Sequence, residues 1–396
     1  MRFVLYTNVI SPHQLPLARE IAKSIGEENF RYIYTQGNDE DHKALGWSCE
    51  VPNWCILVES DEAKGWLENA DILLSGLRDF DLFNRRADKG LKNFYMTERW
   101  LKPPIEILRL LLPKYFGYAR RLCKMLSEGK VVGLPIGMPA ARDMARLCGL
   151  MHGDLRCLFS SLELKFEKKP GGRIAVAERG SGREIAVGDS GSGRESGRTP
   201  TAKTKKYCLD KMRMWGYFVE KGERVTGNGG WNGNLVRVLW VGRLLGLKRV
   251  DTIIRAVGEL SRSRLTTNGS RLTTTLDIYG TGPEERRLRK IAAEYGDAIK
   301  FYPPVPISDV RKLMREHDVY VLASNGYEGW GAVVSEALEE EMKVVGTYEA
   351  GASATLLPEG CLFRAGDWRR LMELLSGDIP RIGIGDWTAA RAAEEL

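Results

Sequence analysis

The sequence is poor in histidine, and its cysteines form no recognisable pairs. Its 396 residues include four histidines and seven cysteines. The histidines form no ligand cluster and no CxxC motif is present, so the sequence indicates no zinc site. An odd number of cysteines without a paired framework is typical of reduced cytosolic thiols. We therefore expect no metal.

Long hydrophobic runs are also missing. No apolar segment reaches the length of about 18 residues that indicates a membrane-spanning helix. The apolar run that follows Met1 and Arg2 is too short for the core of a signal peptide. These two absences predict a cytoplasmic protein.

The composition is that of a globular protein, with 43% hydrophobic and 28% charged residues. The length is enough for two domains of ordinary size. The formal net charge of +7 favours a polyanionic ligand or an anionic membrane surface. We expect no nucleic-acid partner.

The stretch 319–350 has the pattern of a strand, a loop, a helix and a second strand. The loop ends in Glu328-Gly329-Trp330-Gly331, directly before a helix predicted over 332–341. The glycines let the backbone pass close to a ligand, and the N–H groups of a helix N-terminus suit a phosphate. Glu328 and Glu336 add carboxylates, which accept hydrogen bonds from sugar hydroxyls. The pattern favours a nucleotide-sugar site, but an ordinary strand–helix junction with two surface glutamates has the same spacing.

The chain begins with a predicted strand, helix and strand over 2–7, 15–25 and 30–35. This alternation predicts a doubly wound parallel sheet, in which ligands bind beyond the C-terminal ends of the strands. His13 and Gln14 follow the first strand, so we expect them near that crevice. His13 is a candidate for orienting a phosphate or the acceptor, and a surface position beside a proline turn is the alternative.

Glu98 and Arg99 follow a further predicted strand over 94–96. Their position predicts that one of them contacts acceptor or donor at the crevice. A salt-bridged pair in a loop is the alternative explanation.

Residues 99–130 combine basic and apolar side chains. The basic ones are Arg99, Lys102, Arg109, Lys114, Arg120, Arg121 and Lys124. A basic amphipathic face suits an anionic membrane or a lipid-linked acceptor. A solvated helix packed on its leucines explains the same composition.

An 11-residue repeat occupies 174–184 and 185–195, within a stretch of glycine, serine and basic residues over 165–206. Two copies are too few for a solenoid. The composition predicts a flexible inserted loop, although the two Ile-Ala-Val triplets could also pair as a hairpin.

Four motifs together resemble those of a known family. They are a K-W-G-Y-F-type segment at 214–218, G-R-L-x3-K-x2-D at 242–251, G-x-G-P at 280–283 and E-x7-E at 328–336. In this combination they resemble the family 4 retaining glycosyltransferases of GT-B fold, in particular bacterial capsular and exopolysaccharide enzymes. The chain departs from the family at Arg249, where glycine is usual.

The resemblance implies two Rossmann-like, doubly wound α/β domains that face each other across a cleft. The N-terminal, acceptor-side domain is expected over 1–226, including the insert. A linker over 227–234 leads to the C-terminal, donor-binding domain over 235–378. The tail over 379–396 is expected to form a helix that packs back across the cleft.

The function implied is transfer of a hexosyl group from a nucleoside diphosphate sugar to an acceptor hydroxyl, with retention and without a protein nucleophile. The expected donor is a UDP-sugar rather than a GDP-sugar, and no cofactor is expected beyond this co-substrate. The expected acceptor is a growing lipid-linked or surface polysaccharide, met at the inner face of the plasma membrane.

Three residues are expected to be catalytic. Arg243 and Lys248 would stabilise the leaving diphosphate, and Glu328 would orient the sugar hydroxyls. The other expected donor-binding residues are Gly242, Gly280, Gly282, Gly329, Trp330, Gly331 and, on the ribose, Glu336. A GT-B sugar-nucleotide epimerase and a non-catalytic nucleotide-sugar scaffold or sensor remain as alternatives.

Overall fold

The computed structural model of the protein describes residues 1–37, 51–158, 163–176, 207–220, 235–263 and 273–396. These residues form two α/β domains, each built on a six-stranded sheet. In each domain the strands follow the spatial order 3-2-1-4-5-6, counted along the domain's own chain, which is the order of doubly wound Rossmann folds. The expected fold of two Rossmann-like domains is therefore confirmed.

The N-terminal sheet is parallel throughout. Its strands are β1 Phe3–Thr7, β2 Phe30–Tyr34, β3 Cys55–Leu57, β4 Ile72–Ser75, β5 Lys92–Thr97 and β6 Val132–Pro135. The helices are α1 Leu15–Ile25, α2 Asp61–Asn69, α3 Phe80–Asp88, α4 Pro113–Ser127 and α5 Met138–Met151. A 3-10 helix, Glu106–Leu111, precedes α4. Every residue of β1 is buried, as expected for a central strand covered by helices on both faces.

The sequence of helix α1 explains both of its ends and its buried face. Proline lies in its first turn, where its missing N–H costs nothing, and Leu17, Ala18 and Ile21 are among its buried residues. Gly26 ends the helix with φ +89, a backbone conformation that favours glycine.

The structure of residues 163–176 differs from the sequence prediction, which was a flexible inserted loop over 165–206. Strands β7 Leu164–Phe166 and β8 Ile174–Val176 pair antiparallel as a hairpin. The turn packs on the segment 207–220, because the Gly171 N–H donates to the Met214 carbonyl at 2.9 Å. The first Ile-Ala-Val triplet therefore pairs with an upstream strand. The second triplet, the rest of the insert and the linker over 227–234 lie outside the described residues.

The C-terminal sheet is also parallel. Its strands are β9 Leu235–Val241, β10 Thr273–Tyr279, β11 Ile299–Tyr302, β12 Val319–Leu322, β13 Lys343–Thr347 and β14 Leu362–Phe363. The helices are α6 Val250–Ser263, α7 Glu285–Ala292, α8 Ile307–Glu316, α9 Ala332–Glu339, α10 Gly351–Leu356 and α11 Trp368–Ser376. None of the helices in the described ranges combines the length and hydrophobicity that crossing a bilayer requires.

The tail connects the two domains. Helix α12, Ala389–Glu394, packs against α1 of the N-terminal domain. Just before it, Trp387 stacks on Trp330 of the C-terminal domain with ring centroids 6.0 Å apart. The segment 207–220 also runs beside β6, where Trp215 forms a parallel bridge with Ile136.

The domains also touch directly through α5 and α10. The Met138 N–H, at the start of α5, donates to Thr355 Oγ1 on α10 at 2.9 Å. Gly137 and Gly351 meet backbone to backbone, and a Cβ on Gly137 would lie 2.7 Å from the Gly351 Cα. Only glycine permits this close approach of the two backbone segments.

Candidate active site

A cavity of about 810 Å³ lies between the domains, at the C-terminal ends of both sheets. The N-terminal domain contributes residues that follow β1, β4 and β5, and the C-terminal domain contributes residues that follow β9 and β12. In each sheet the cavity therefore lies at the point where the strand order reverses, which is where doubly wound sheets bind ligands. The sequence-predicted residues that line it are His13, Gln14, Glu98, Gly242, Arg243, Lys248, Glu328, Gly329, Trp330, Gly331 and Glu336.

The turn after β9 presents Arg243 to the cavity. Gly242 has φ +152, and the exposed Arg243 side chain makes no ion pair with any described residue. Gly280 and Gly282 lie behind this turn and do not line the cavity. A Cβ on Gly280 would overlap the Gly242 carbonyl oxygen, and one on Gly282 would lie 2.5 Å from the Leu244 carbonyl oxygen. These two glycines shape the turn by letting a second loop approach it.

Lys248 ends a short 3-10 turn, and its ammonium donates a hydrogen bond to Glu328 Oε2. The same carboxylate oxygen accepts from Ser324 Oγ at 2.8 Å. Arg249 has φ +47, a left-handed backbone conformation that favours glycine. Its guanidinium pairs with Asp251 at 3.2 Å, inside the same motif.

The Glu328–Gly331 turn delivers the N-terminus of α9 to the cavity. Gly331 caps the helix with φ +86, and a Cβ there would lie 2.7 Å from Leu322 Cδ2. Gly329 faces the other domain, because a Cβ on it would overlap the Glu98 carboxylate. The turn therefore needs glycine at one position for its conformation and at the other for the close approach of Glu98.

The ring of Trp330 is packed inside the protein. Its side chain is only 1% exposed, donates to Ser335 Oγ at 3.1 Å and stacks on Trp387. Gly216 packs against both rings, since a Cβ on it would lie 2.6 Å from the Trp330 indole. The indole therefore belongs to the contact between the domains.

Glu336 lies on the second turn of α9 and lines the cavity. No described residue donates a hydrogen bond to its carboxylate. Burial raises the pKa of Glu336, and the positive charge of Arg311 opposes that shift. Burial is also the main reason why the pKa of the Tyr320 phenol is raised. The negative charges of Glu328 and Glu336 raise it further.

On the N-terminal side, His13 stacks on Tyr217 with ring centroids 6.5 Å apart. Burial lowers the pKa of His13 to about 4, so its ring is neutral at pH 7 and offers no charge to a phosphate. Gln14 accepts a hydrogen bond from the Tyr32 hydroxyl at 2.7 Å. Glu98 accepts from the Tyr217 hydroxyl at 3.2 Å. These contacts fix the orientation of three candidate side chains.

Arg99 is turned away from the cavity. Its guanidinium lies 3.3 Å from the carboxylate of Asp143, a buried residue of α5, and donates to the Gly326 carbonyl at 3.4 Å. Arg99 therefore joins the two domains instead of lining the cavity.

Arg78 lines the cavity and was not among the sequence-predicted residues. It is exposed and lies over the Trp100 ring, 4.3 Å from the centroid. The available signal was its place just after the apolar run Ile72–Ser75 of β4, the same kind of signal that identified Glu98. Among the described residues, no group of three or more histidine, cysteine, aspartate or glutamate side chains is arranged to hold a metal ion.

Comparisons with known proteins bear on both domains. Residues 236–376, within the C-terminal domain, match the family model described as Glycosyl transferases group 1. No curated protein matches the chain.

Three solved structures resemble the whole chain. The lipopolysaccharide outer core galactosyltransferase WaaB is 13% identical, with a TM-score of 0.58 over 100% of this chain and 94% of that chain. HepE of Anabaena in complex with UDP-glucose and OtsA in its apo form are each 12% identical, with a TM-score of 0.53 over 100% of this chain and 95% of theirs. The likeness establishes the fold, which is the GT-B arrangement of two facing Rossmann-like domains.

Proposed function

We propose that the protein is a glycosyltransferase that moves a hexosyl group from a nucleoside diphosphate sugar to an acceptor hydroxyl. The observation that carries the proposal is the convergence of Arg243, Lys248 and the N-terminus of α9 on one wall of the cavity, with Glu328 and Glu336 beside them. Two cations and a helix N-terminus suit a diphosphate, and two carboxylates suit the hydroxyls on either side of it.

The diphosphate binds between the two cations in this proposal. Arg243 offers a planar fork of N–H donors without an ion-pair partner among the described residues, and Lys248 offers a compact charge. Both stabilise the charge that develops on the leaving diphosphate, which is electrostatic catalysis that uses no metal. The N–H groups at the start of α9 add to the same effect.

Donor binding exchanges the partners of Lys248. Lys248 is paired with Glu328. A diphosphate competes for the ammonium, and the released Glu328 carboxylate then accepts hydrogen bonds from the sugar hydroxyls. The Glu336 carboxylate, which accepts no hydrogen bond from a described residue, accepts from the ribose hydroxyls in the second turn of α9.

The acceptor enters from the N-terminal side, past His13, Gln14 and Glu98. Its hydroxyl attacks the anomeric carbon on the face that the diphosphate leaves and gives its proton to a phosphate oxygen. This route retains the anomeric configuration without a protein nucleophile. The neutral His13 ring is suited to hydrogen-bond the acceptor, because it carries no charge that would have to be desolvated.

We propose a UDP-sugar as the donor and a lipid-linked or surface saccharide as the acceptor. The solved complex of HepE with UDP-glucose, which shares the fold, supports the choice of donor. The name of WaaB, a galactosyltransferase of the lipopolysaccharide outer core, supports the acceptor class.

The deciding experiment measures thermal stability with UDP, GDP, CDP and ADP for the wild type and for Lys248→Ala. A ligand at a hundred times its dissociation constant adds about 2.7 kcal/mol of stability. We expect a selective shift with UDP that the variant loses. Incubation with UDP-sugars and saccharide acceptors then identifies the reaction by its product, because a glycoside supports the proposal and an epimer or unchanged donor contradicts it.

A further inference from the structure

The 3-10 helix Glu106–Leu111 presents a line of apolar side chains to solvent. A 3-10 helix has three residues per turn, so side chains three positions apart lie one above the other. Ile105, Leu108 and Leu111 have this spacing and are 43%, 59% and 79% exposed. On the opposite side, Ile107 and Leu110 pack against the core. The inner face of the helix is therefore packed against the core, while no described residue covers its outer face.

The apolar line continues into the start of α4. Leu112 and Phe116 are 49% and 45% exposed, which makes five large exposed apolar side chains within residues 105–116. Other large exposed apolar residues of the described chain, such as Leu57, Leu155 and Ile307, are far apart in sequence. A single exposed apolar residue is ordinary, whereas a contiguous patch marks a surface that binds something.

Two exposed cations flank this patch. Arg120 lies one helical turn after Phe116 on the same face of α4, and Lys114 lies in the first turn. Both are exposed, and neither forms an ion pair with a described residue. Two neighbouring cations differ, since Arg121 pairs with Asp81 and Lys124 lies 3.7 Å from Glu128.

Arg109 adds a further cation, held over the Tyr115 ring at 5.8 Å. One carboxylate, Glu106, lies within the apolar segment and is exposed. Residues 105–116 together with Arg120 form a surface that we call the docking face. It combines apolar side chains with a net positive charge.

We propose that the docking face binds the surface of an anionic lipid bilayer. The apolar side chains enter the boundary between headgroups and acyl chains, and Lys114 and Arg120 contact lipid phosphates. A second copy of the chain fits less well, because a two-fold contact through this face would bring the same cations of both copies together. The proposal rests on this surface alone and is independent of the chemistry in the cavity.

Helix α4 carries part of the docking face and also contacts a residue that lines the cavity. Tyr118 of α4 lies 5.8 Å from the guanidinium of Arg78, which lines the cavity on its N-terminal side. A bilayer bound at residues 105–120 is therefore close to the acceptor side of the cavity. This arrangement suits an acceptor that is anchored in the membrane.

The test is cosedimentation of the full chain with vesicles of phosphatidylcholine, with and without phosphatidylglycerol. We expect binding to the anionic vesicles and little to the neutral ones. The double variant Leu108→Ser/Leu111→Ser should bind at least tenfold more weakly. Leu155→Ser is the matched control, because Leu155 is 68% exposed but lies outside the docking face, and it should bind like the wild type.

The charge is tested separately with Lys114→Glu/Arg120→Glu, against Lys300→Glu in the C-terminal domain. Each cation near an anionic surface strengthens binding about fivefold, so the double variant should lose most of its preference for anionic lipid. Binding of the wild type should also fall in 1 M salt, where the screening length is about 3 Å. Thermal unfolding confirms that these exposed substitutions leave the fold intact.

Two results overturn the proposal. One is vesicle binding that is absent or that Leu108→Ser/Leu111→Ser leaves unchanged while the protein stays folded. The other is a wild-type dimer that this variant dissociates, because the docking face would then be covered by a second copy of the chain.

Discussion

Lys248 and Glu328 form an ion pair between the loops that follow two neighbouring strands, β9 and β12. Their side chains are 22% and 14% exposed, so the pair is partly withdrawn from water but still reachable from the cavity. In the proposed reaction the same two groups serve different parts of the donor. The ion pair holds both charged groups in place and neutralised, and in the proposed reaction a diphosphate competes for the lysine.

Removal of the lysine charge should separate stability from activity. Lys248→Met should lower turnover about 100-fold, as expected when one donor to a developing negative charge is removed. It should also cost about 1–3 kcal/mol of stability, because Glu328 then keeps a partly buried charge without its cation. Steady-state kinetics and chemical denaturation measure the two effects.

The double variant Lys248→Met/Glu328→Gln is the control for this prediction. It should regain most of the lost stability, since no unpaired charge remains, but none of the turnover. Lys300→Met removes an exposed lysine elsewhere in the C-terminal domain and should change neither quantity. Wild-type turnover in Lys248→Met would refute the role given to the lysine.

Glu336 should weaken the fold at neutral pH. Burial raises its pKa, so the folded protein binds the proton more tightly than the unfolded chain does. Ionisation therefore costs stability above the folded pKa, and the cost disappears as the pH falls below the ordinary value of 4.5. Glu336→Gln should be more stable than the wild type at pH 8 and equally stable at pH 4, measured by denaturation in urea.

The same variant should bind the donor about tenfold more weakly, which corresponds to one lost hydrogen bond to a charged group of roughly 1.5 kcal/mol. A gain in stability together with a loss of donor affinity would identify Glu336 as a carboxylate kept for binding. Unchanged affinity would exclude it from the donor site.

His13 should make the protein sensitive to mild acid. Burial lowers its pKa to about 4, below the ordinary value of 6.5, so the unfolded chain binds a proton that the folded protein does not. Stability should therefore fall as the pH drops from 6.5 toward 4, by at most about 3 kcal/mol from this residue. His13→Gln removes the titrating group and should flatten that part of the profile of unfolding free energy against pH. An unchanged slope would show that the buried ring is not the cause.

Local sequence patterns predicted most of the fold and many of the cavity residues. The apolar runs of β1 and β12 and the turn motifs after β9 and β12 depend on neighbours in the sequence, so periodicity and glycine spacing were enough to locate them. The order of the strands then follows from the doubly wound pattern. The residues after those strands, including Arg243 and Lys248, consequently line the cavity.

Four of the sequence-predicted residues have partners that are distant in the sequence. Arg99 turns toward Asp143 on α5, and no local pattern links the two. The Trp330 ring is buried because Trp387 of the tail and the Cα of Gly216 pack on it. Gly280 and Gly282 accommodate the backbone of another loop. Such contacts depend on the tertiary structure, and a motif shows only that a residue lies near a site.

The contact between Gly137 and Gly351 should control how closely the domains approach. Gly137→Ala adds a Cβ that would lie 2.7 Å from the Gly351 Cα, at a residue with φ +83. Gly153→Ala is the matched control, because Gly153 has φ +81 and nothing lies within 4 Å of its Cβ position. Both variants carry a similar backbone strain of about 1–2 kcal/mol, and only Gly137→Ala also forces the domains apart.

Turnover should consequently fall in Gly137→Ala and stay near the wild-type value in Gly153→Ala, although both lose some stability. The reason is that closure of the domains assembles the cavity and excludes water from it. Small-angle scattering should detect a larger radius of gyration for Gly137→Ala than for Gly153→Ala. If the two variants have the same turnover and the same radius, the contact at Gly351 stabilises the structure without setting the width of the cavity.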